Sequence, residues 1–274
     1  MRTAIISDIH GNADALTAVL AEIDQREVDQ IVCLGDIIGY GPDPLVCLDR
    51  VAERCDFALM GNHDFAVLFE PTSFNTSAEQ AAFWTRRQLE EEPDDDARKR
   101  RWAYLGGLVV RKWQGGTLWV HASPRRPINE YIFPDDVVSA PGKMQAIFER
   151  LRHRCFVGHT HVPGVFTDEP DFYPPSDLGA RYTFEPDEKA IINPGSVGQP
   201  RDRDPRASFA ILTHAQPLDP PTDNGQAVPA PSADDQADTL EFVRVDYDIE
   251  AVVEKIAAQT DLSNFLGERL REGR

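Results

Sequence analysis

The chain has 274 residues, of which 41% are hydrophobic, and its 46 acidic side chains outnumber 28 basic ones for a formal net charge of −18. This length allows one large domain or two modest ones, with enough apolar residues for a sizeable core. An acidic surface of this size repels polyanions, which disfavours non-specific binding to nucleic acid or to anionic membranes.

The cysteines and the first residues bear on the compartment of the protein. Four cysteines form no CxxC pair, and Cys33, Cys47 and Cys155 have apolar neighbours in the sequence, which predicts small core residues. This usage favours a reducing cytosol over a disulfide scaffold, so we expect a cytoplasmic protein. A strand and a motif begin directly after Met1, so no signal peptide is expected. No apolar run approaches the roughly 18 residues of a membrane span.

The first sixty residues predict a β-α-β-α-β unit. Asn12 is a predicted cap for a helix that runs to about Arg26, and Pro44 lies in the first turn of a second helix. This alternation is typical of a parallel or mixed sheet with right-handed crossovers. Ligands of such sheets bind at the carboxyl ends of the strands. The predicted strands cover 3–6, 30–34 and 57–60, and the helices end near residues 26 and 53.

The rest of the chain predicts a second group of strands. We expect helices over 76–91, 95–104 and 141–152, and one or two amphipathic helices over 248–272. Because so many strands follow one another, a second sheet layer packed on the first is predicted. The segment 215–238, rich in Pro, Asp, Gln and Ala, is predicted to be a disordered insertion within a single domain over 1–274. The strands are predicted at 107–112, 116–121, 154–157, 162–166, 181–185, 189–193, 207–213 and 239–246.

Five of the seven histidines lie in short motifs that also contain acidic, asparagine and glycine residues. Carboxylate, imidazole and carboxamide groups together are ligands for hard or borderline divalent metal ions, and they are numerous enough for two ions. Each motif taken alone is often an ordinary loop or turn, but five in succession after apolar runs predict a metal site. The motifs are Asp8-Ile9-His10, Gly35-Asp36, Gly61-Asn62-His63-Asp64, Val120-His121-Ala122 and Gly158-His159-Thr160-His161.

The spacing within the motifs limits how they can bind. Asp8 and His10 are two residues apart, so on an extended strand they would point to the same side. Asp36 has two oxygens and can bridge two cations. His159 and His161 can serve one ion each or share one, and the residues alone leave both arrangements open.

Together the five motifs resemble the calcineurin-like metallophosphoesterase superfamily, whose pattern is D-x-H, G-D, G-N-H-D/E, H and G-H-x-H. They span more than half of the chain. The resemblance implies an α/β fold, a four-layer α/β/β/α sandwich in which two mixed sheets are flanked by helices. It also implies a dinuclear metal centre at the strand ends. One ion would be held by Asp8, His10, Asp36 and His161, and the other by Asp36, Asn62, His121 and His159, with Asp36 bridging.

The resemblance implies a hydrolytic reaction at phosphorus. Two divalent ions about 3.5–4 Å apart can clamp a phosphate and supply a hydroxide at neutral pH. Oxygen and imidazole ligands without thiolate suit Mn²⁺, our first choice, and also Fe, Zn²⁺, Ni²⁺ or Co²⁺. His63 is not a ligand in the family pattern, so we expect it to be the general acid, oriented by Asp64.

Departures from the family pattern narrow the substrate. Tyr40 occupies the position at which protein Ser/Thr phosphatases and symmetrical bis-nucleoside tetraphosphatases carry an arginine. The residues around Tyr40 and around His121 resemble a bacterial and archaeal branch of phosphatases and phosphodiesterases. We therefore expect a small phosphomonoester or phosphodiester substrate. The expected substrate contacts are Asn12, Tyr40 and Arg201, the last of which follows a glycine-containing turn that can face an anion.

Two alternatives come from other functional classes. Some relatives became non-catalytic protein-binding scaffolds, but the complete ligand set and His63 argue against that outcome here. A DNA nuclease is the other alternative, and the acidic surface without a basic, aromatic-lined stripe counts against it. The expected partner is therefore a small phosphate ester, with neither membrane nor nucleic acid.

Overall fold

The computed structural model describes residues 1–169, 171–186, 188–215 and 237–274. Within these ranges, twelve strands form two sheets of six strands each. Nearly all of the insertion predicted at 215–238 lies outside the described residues.

The first sheet combines the predicted β-α-β-α-β unit with strands from the end of the chain. Its first three strands in sequence, β1 to β3, run parallel to one another, and the remaining pairs are antiparallel. The carboxyl ends of these three strands therefore meet at one edge. The order across the sheet is β3 (Phe57–Ala58), β2 (Gln30–Cys33), β1 (Arg2–Ile6), β11 (Ala207–Thr213), β12 (Thr239–Val245) and β9 (Arg181–Thr183).

The second sheet is also mixed. Its central strands β5, β6 and β10 are parallel, and the outer pairs are antiparallel. Gly158 N–H donates to the carbonyl of His121 at 2.7 Å, which joins the loops that follow β5 and β6. The order across the sheet is β4 (Arg111–Gln114), β5 (Thr117–Val120), β6 (Arg154–Phe156), β10 (Ala190–Asn193), β7 (Gly164–Thr167) and β8 (Asp171–Tyr173).

Nine α-helices and one 3₁₀ helix accompany the sheets in the described ranges. The prediction of a helix over 141–152 was too long, and the helices at 62–68 and 136–139 were not predicted. They are α1 (Ala13–Asp24), α2 (Pro44–Arg54), α3 (Asn62–Leu68), α4 (Thr76–Glu90), α5 (Asp95–Gly106), α6 (Asp136–Ser139), α7 (Pro141–Phe148), α8 (Ile249–Ala257), α9 (Phe265–Glu268) and the 3₁₀ helix Arg269–Glu272.

Alternate residues of the strands divide the interior into layers. In β1, Ala4 and Ile6 pack with Leu16 and Val19 of α1, whereas Ile5 faces the second sheet. This division follows from the two-residue period of a strand, which sends successive side chains to opposite faces.

The second sheet is divided in the same way. Phe156 and Ile192 face the first sheet, and Cys155 and Ile191 pack with a cluster that includes Met144 of α7. Helices therefore cover the outer face of each sheet, and the predicted four-layer α/β/β/α sandwich is confirmed.

Strand bounds differ from the predicted ones mainly in the hairpin. The strand predicted at 107–112 begins instead at Arg111, because α5 continues to Gly106 and its C-terminal cap is Gly107. Cys33, Cys47 and Cys155 are buried as predicted, and all four cysteines are free thiols. No helix in the described part of the chain is both long enough and apolar enough to cross a bilayer.

Candidate metal centre

The predicted ligands meet where the loops after five strands come together. Asp8, His10, Asp36 and His161 form one group, and Asp36, His121 and His159 form a second. Within each group the ligand atoms lie within 4.8 Å of one another. Asn62 joins the second group, because its Oδ1 lies 3.1 Å from Nε2 of His121. The structure thus brings all seven predicted ligands together.

Asp36 is the residue common to both groups. Its Oδ2 lies 3.6 Å from Nε2 of His10 and 3.4 Å from Nε2 of His121. Its Oδ1 accepts a hydrogen bond from the backbone N–H of His63 at 2.8 Å. One carboxylate oxygen is therefore fixed by the backbone, and the other faces an imidazole from each group.

Backbone carbonyls orient two of the imidazoles. His121 donates from Nδ1 to the carbonyl of Leu34 at 3.1 Å, and His161 donates from Nδ1 to the carbonyl of Gln199 at 2.6 Å. Because a carbonyl only accepts, Nδ1 carries the proton and the Nε2 lone pair is free to bind a cation.

Unpartnered nitrogen atoms test whether the site suits a metal ion. Nδ1 of His10 and Nε2 of His159 are buried without a hydrogen-bond partner. A buried polar atom without a partner is costly, by about 1–3 kcal/mol. Coordination to a divalent ion would satisfy such a nitrogen, so the donor set fits divalent cations.

The ionisation states also suit metal binding, which requires anionic carboxylates and neutral imidazoles. Burial lowers the pKa of His159 to about 3 and that of His10 well below its usual value. Burial opposes ionisation of Asp36, but His121 and His63 outweigh it and hold the pKa of its carboxyl well below the usual range. Burial likewise opposes ionisation of Asp8, where His161 keeps the pKa low.

Five of the seven ligand residues have left-handed backbone conformations. Asp8, His10 and Asp36 have φ angles of 53°, 50° and 52°, and His159 and His161 have φ angles of 67° and 61°. Such conformations cost non-glycine residues about 1–3 kcal/mol each and cluster at functional sites. The extended geometry considered for Asp8 and His10 is therefore wrong, because the strand before them ends at Ile6.

Two glycines of the motifs allow close approach to the ligands. A Cβ atom at Gly61 would lie 2.1 Å from Oδ1 of Asp36. A Cβ atom at Gly158 would lie 2.1 Å from Oγ of Ser7 and 2.5 Å from Oδ2 of Asp8. No side chain fits at either position, which explains why a glycine precedes both Asn62 and His159.

The predicted catalytic pair lies beside the ligands at the start of α3. The ring of His63 is buried 4.8 Å from that of His10 and 4.3 Å from that of Tyr40, and its Nδ1 has no partner. Asp64 accepts hydrogen bonds from the N–H groups of Ile37 at 3.0 Å and Gly61 at 3.0 Å. Asp64 therefore fixes the backbone on both sides of the site, in place of the expected contact with the His63 ring.

The three predicted substrate contacts lie in different surroundings. Tyr40 has a φ of 63° and packs against His10, with ring centroids 4.8 Å apart. Arg201 donates to Oε1 of Gln199 at 2.7 Å, while its buried Nε has no partner. The carboxamide of Asn12 caps α1 and donates to the carbonyl of Gly198 at 3.0 Å. The capping prediction is confirmed, and both ends of this carboxamide are occupied.

Two further residues near the centre were not predicted. Tyr131 stacks on His159 with ring centroids 3.8 Å apart, in a loop held by the ion pair of Arg125 with Glu130. Arg269 lies in the C-terminal 3₁₀ helix and shares a cleft with Tyr40. The aromatic spacing Tyr131-x-Phe133 is a weak signal for the first, and no local pattern points to the second.

Comparison with known proteins agrees with this geometry. The pattern of the calcineurin-like phosphoesterase superfamily domain matches residues 1–216. The chain is 35% identical over 276 residues to an uncharacterized protein of Methanocaldococcus jannaschii, covering 99% of this chain and 98% of that protein. A crystal structure of a metallophosphoesterase from Sphaerobacter thermophilus is 35% identical with a TM-score of 0.76, covering 100% of this chain and 99% of that chain. The chain belongs to the calcineurin-like phosphoesterase superfamily, whose members are hydrolases of phosphate esters.

A shorter similarity involves a symmetrical bis(5'-nucleosyl)-tetraphosphatase from Psychromonas ingrahamii. The two sequences are 40% identical over 72 residues, which is 25% of this chain and 26% of that protein. The likeness therefore extends over about a quarter of each protein.

Proposed function

We propose that this protein hydrolyses small phosphomonoesters or phosphodiesters with the help of two divalent metal ions, Mn²⁺ being the preferred metal and Fe, Zn²⁺, Ni²⁺ and Co²⁺ alternatives. The observation that carries the proposal is the position of Asp36 Oδ2, within 3.6 Å of Nε2 of His10 and of His121. A carboxylate oxygen between two imidazole-containing groups is the arrangement that a bridging ligand needs.

The proposed ligands divide as the two groups do. Bound ions would supply Lewis-acid polarisation of the phosphate and a nucleophile at neutral pH. The protein holds the donors in place through backbone contacts, such as the N–H of His159, which donates to both oxygens of Asp8 at 3.1 Å. One ion would be held by Asp8, His10, Asp36 and His161, and the other by Asp36, Asn62, His121 and His159.

His63 is the proposed general acid, which gives a proton to the oxygen of the leaving group. Its position supports this role, because the ring lies against His10 and its Nδ1 has no partner. Burial lowers the pKa of His63 to about 4, and the nearby Asp36 opposes that effect. An anionic phosphate ester beside the ring would favour the protonated form further, because an opposite charge raises the pKa of an imidazole. Proton donation would then be coupled to substrate binding.

Arg201 and Tyr40 are the proposed contacts to the phosphate. The positive charge of Arg201 acts on His10, His63 and His161, so its guanidinium lies close to the proposed reaction site. A guanidinium can make two parallel hydrogen bonds to a phosphate. Asn12 supports this loop through Gly198 rather than contacting the substrate. The free thiols support the further inference that the protein is cytoplasmic.

The direct test is hydrolysis of p-nitrophenyl phosphate and bis-p-nitrophenyl phosphate by metal-free protein to which Mn²⁺ is returned. We expect turnover of at least one ester by the wild type, and none by Asp36→Ala, which lacks the shared ligand. Gly142→Ala is the matched control, because a Cβ atom there meets nothing within 4 Å. Equal rates for wild type and Asp36→Ala would refute the proposal, and a wild type inactive on both esters would favour the scaffold alternative.

A further inference from the structure

A cleft of about 310 Å³ opens beside the metal centre, and we refer to it as the C-terminal cleft. Tyr40, Thr76, Phe265 and Arg269 are among its lining residues. Tyr40 belongs to both sites, since its ring also packs 4.8 Å from the ring of His10. A molecule bound at the metal centre can therefore extend into the C-terminal cleft past Tyr40.

Arg269 gives this cleft a positive charge that has no acidic side chain to offset it. Its Nε donates to the carbonyl oxygen of Arg274, and its guanidinium lies 5.4 Å from the centroid of the Phe265 ring. Among the described residues, no aspartate or glutamate lies within 4.0 Å of this guanidinium. By contrast, Arg271 in the same 3₁₀ helix is paired with Glu250 at 2.6 Å.

Arg201 places a second positive charge close to the first. Its charge acts on Arg269 as well as on the histidines of the metal centre, so it lies near both sites. Burial, and then the neighbouring Arg201, lower the pKa of Arg269 to about 10, which leaves the group a cation at neutral pH. Two partly buried cations in proximity are unfavourable unless an anion accompanies them.

The other lining groups suit the same ligand. Thr76 offers a hydroxyl in the first turn of α4, where the helix dipole favours negative charge. Phe265 is 49% exposed and offers an apolar wall for a short carbon linker. These groups add to the arginine pair, which is the feature that calls for an anion.

We propose that Arg269, with Arg201 and Tyr40, forms an anion subsite for a second negatively charged group of the substrate. The preferred substrate would then carry a phosphate or a carboxylate in addition to the phosphate ester that reacts at the metal centre. Arg201 contacts the reacting phosphate, and Arg269 contacts the second anion through charge-assisted hydrogen bonds in the C-terminal cleft. This inference rests on the proposed function and specifies the class of substrate for the same site.

Calorimetric binding of non-hydrolysable phosphonates to the Mn²⁺-loaded protein tests the subsite. Methylphosphonate serves as the ligand with one anionic group. Ethane-, propane- and butane-bisphosphonates, with phosphonocarboxylates of the same lengths, carry a second one. We expect the best-fitting bisphosphonate to bind about tenfold or more tightly than methylphosphonate. A gain of the same size for a phosphonocarboxylate would assign the subsite to either anion, and a gain for bisphosphonates alone would assign it to phosphate.

Two variants show whether the gain comes from Arg269. Arg269→Gln should lose the tenfold gain, whereas Arg271→Gln should keep it, because Arg271 is engaged by Glu250. Equal affinity of wild type for ligands with one and two anions would overturn the inference, as would a gain that survives in Arg269→Gln. Because binding needs no turnover, a retained gain without hydrolysis of any ester would count against the proposed function alone.

Discussion

The Nε2 atoms of His10 and His161 lie 3.1 Å apart in the interior of the protein. Nδ1 of His161 donates to the carbonyl of Gln199, so its Nε2 presents a lone pair to His10. Oδ1 of Asp8 lies 3.3 Å from the same Nε2. Lone pairs and a carboxylate oxygen that converge on one point are the arrangement expected around a cation.

The first prediction concerns the number of ions bound. His161→Ala removes one donor from the group of Asp8, His10 and Asp36 but leaves the second group intact. We expect the Mn²⁺ content after dialysis to fall from two ions per chain to one, as measured by elemental analysis. The reciprocal variant His121→Ala should also retain one ion. Two tightly bound ions in both variants would show that these imidazoles are not ligands.

The second prediction uses the close approach at Gly61. Gly61→Ala places a Cβ atom 2.1 Å from Oδ1 of Asp36, so the shared carboxylate must move. We expect kcat/KM for p-nitrophenyl phosphate to fall by about 100-fold or more, equivalent to about 2.7 kcal/mol of transition-state stabilisation. Gly142→Ala is the control and should change the rate little, because that position is open. A Gly61→Ala enzyme with wild-type kinetics would contradict the described position of Asp36.

The third prediction separates His63 from the ligands. His63→Ala should slow alkyl phosphates, which need a proton on the leaving oxygen, by about 100-fold or more. The loss with p-nitrophenyl phosphate should be less than about tenfold, since p-nitrophenolate leaves without help. Metal content should stay at the wild-type value. Equal losses on both substrates would argue against the general-acid role.

The fourth prediction concerns stability and pH. Asp238 accepts hydrogen bonds from Nδ1 of His214 at 3.0 Å and from the N–H of Ala215 at 2.9 Å, and it pairs with Arg154 at 2.7 Å. Burial opposes ionisation of Asp238, but these partners, His214 first, outweigh it and lower the pKa of the carboxyl. A lowered pKa stabilises the fold above the unfolded-state pKa of about 4, and that stability is lost as pH falls below it.

Asp238→Asn should therefore lower the free energy of unfolding by about 1–3 kcal/mol at pH 7, measured by denaturant titration. The deficit should shrink as pH falls below about 4, where the wild-type carboxyl also begins to take up a proton. Glu250→Gln is the control: its ion pair with Arg271 is exposed, so about 0–1 kcal/mol is expected. A deficit that stays constant from pH 7 to pH 3 would contradict the assigned role of the carboxylate.

The sequence predicts the ligands of this site well, because each follows a buried strand. Asp8, Asp36 and His121 lie one to three residues beyond strands whose apolar pattern is evident. The layers are predictable for the same reason, since the two-residue alternation in strands such as β1 assigns each face.

Other parts of the site depend on tertiary structure. The helix that begins at Asn62 was missed, because Gly61 and Asn62 are typical of a turn, and Asp64 stabilises the helix start through contacts with distant backbone groups. The left-handed conformation of His159 is strained and has no local signature. Arg269 reaches Tyr40 only because the C-terminal residues pack beside the start of α4, more than 200 residues after Tyr40 in the sequence.

The central claim is that Asp36 joins two ions into one catalytic site. The most direct measurement is a titration of metal-free protein with Mn²⁺, followed by both calorimetric binding and hydrolysis of p-nitrophenyl phosphate. The account predicts that binding ends at two equivalents per chain, that activity appears mainly with the second, and that Asp36→Asn removes both. Full activity at one equivalent, or unchanged binding of two ions by Asp36→Asn, would contradict it.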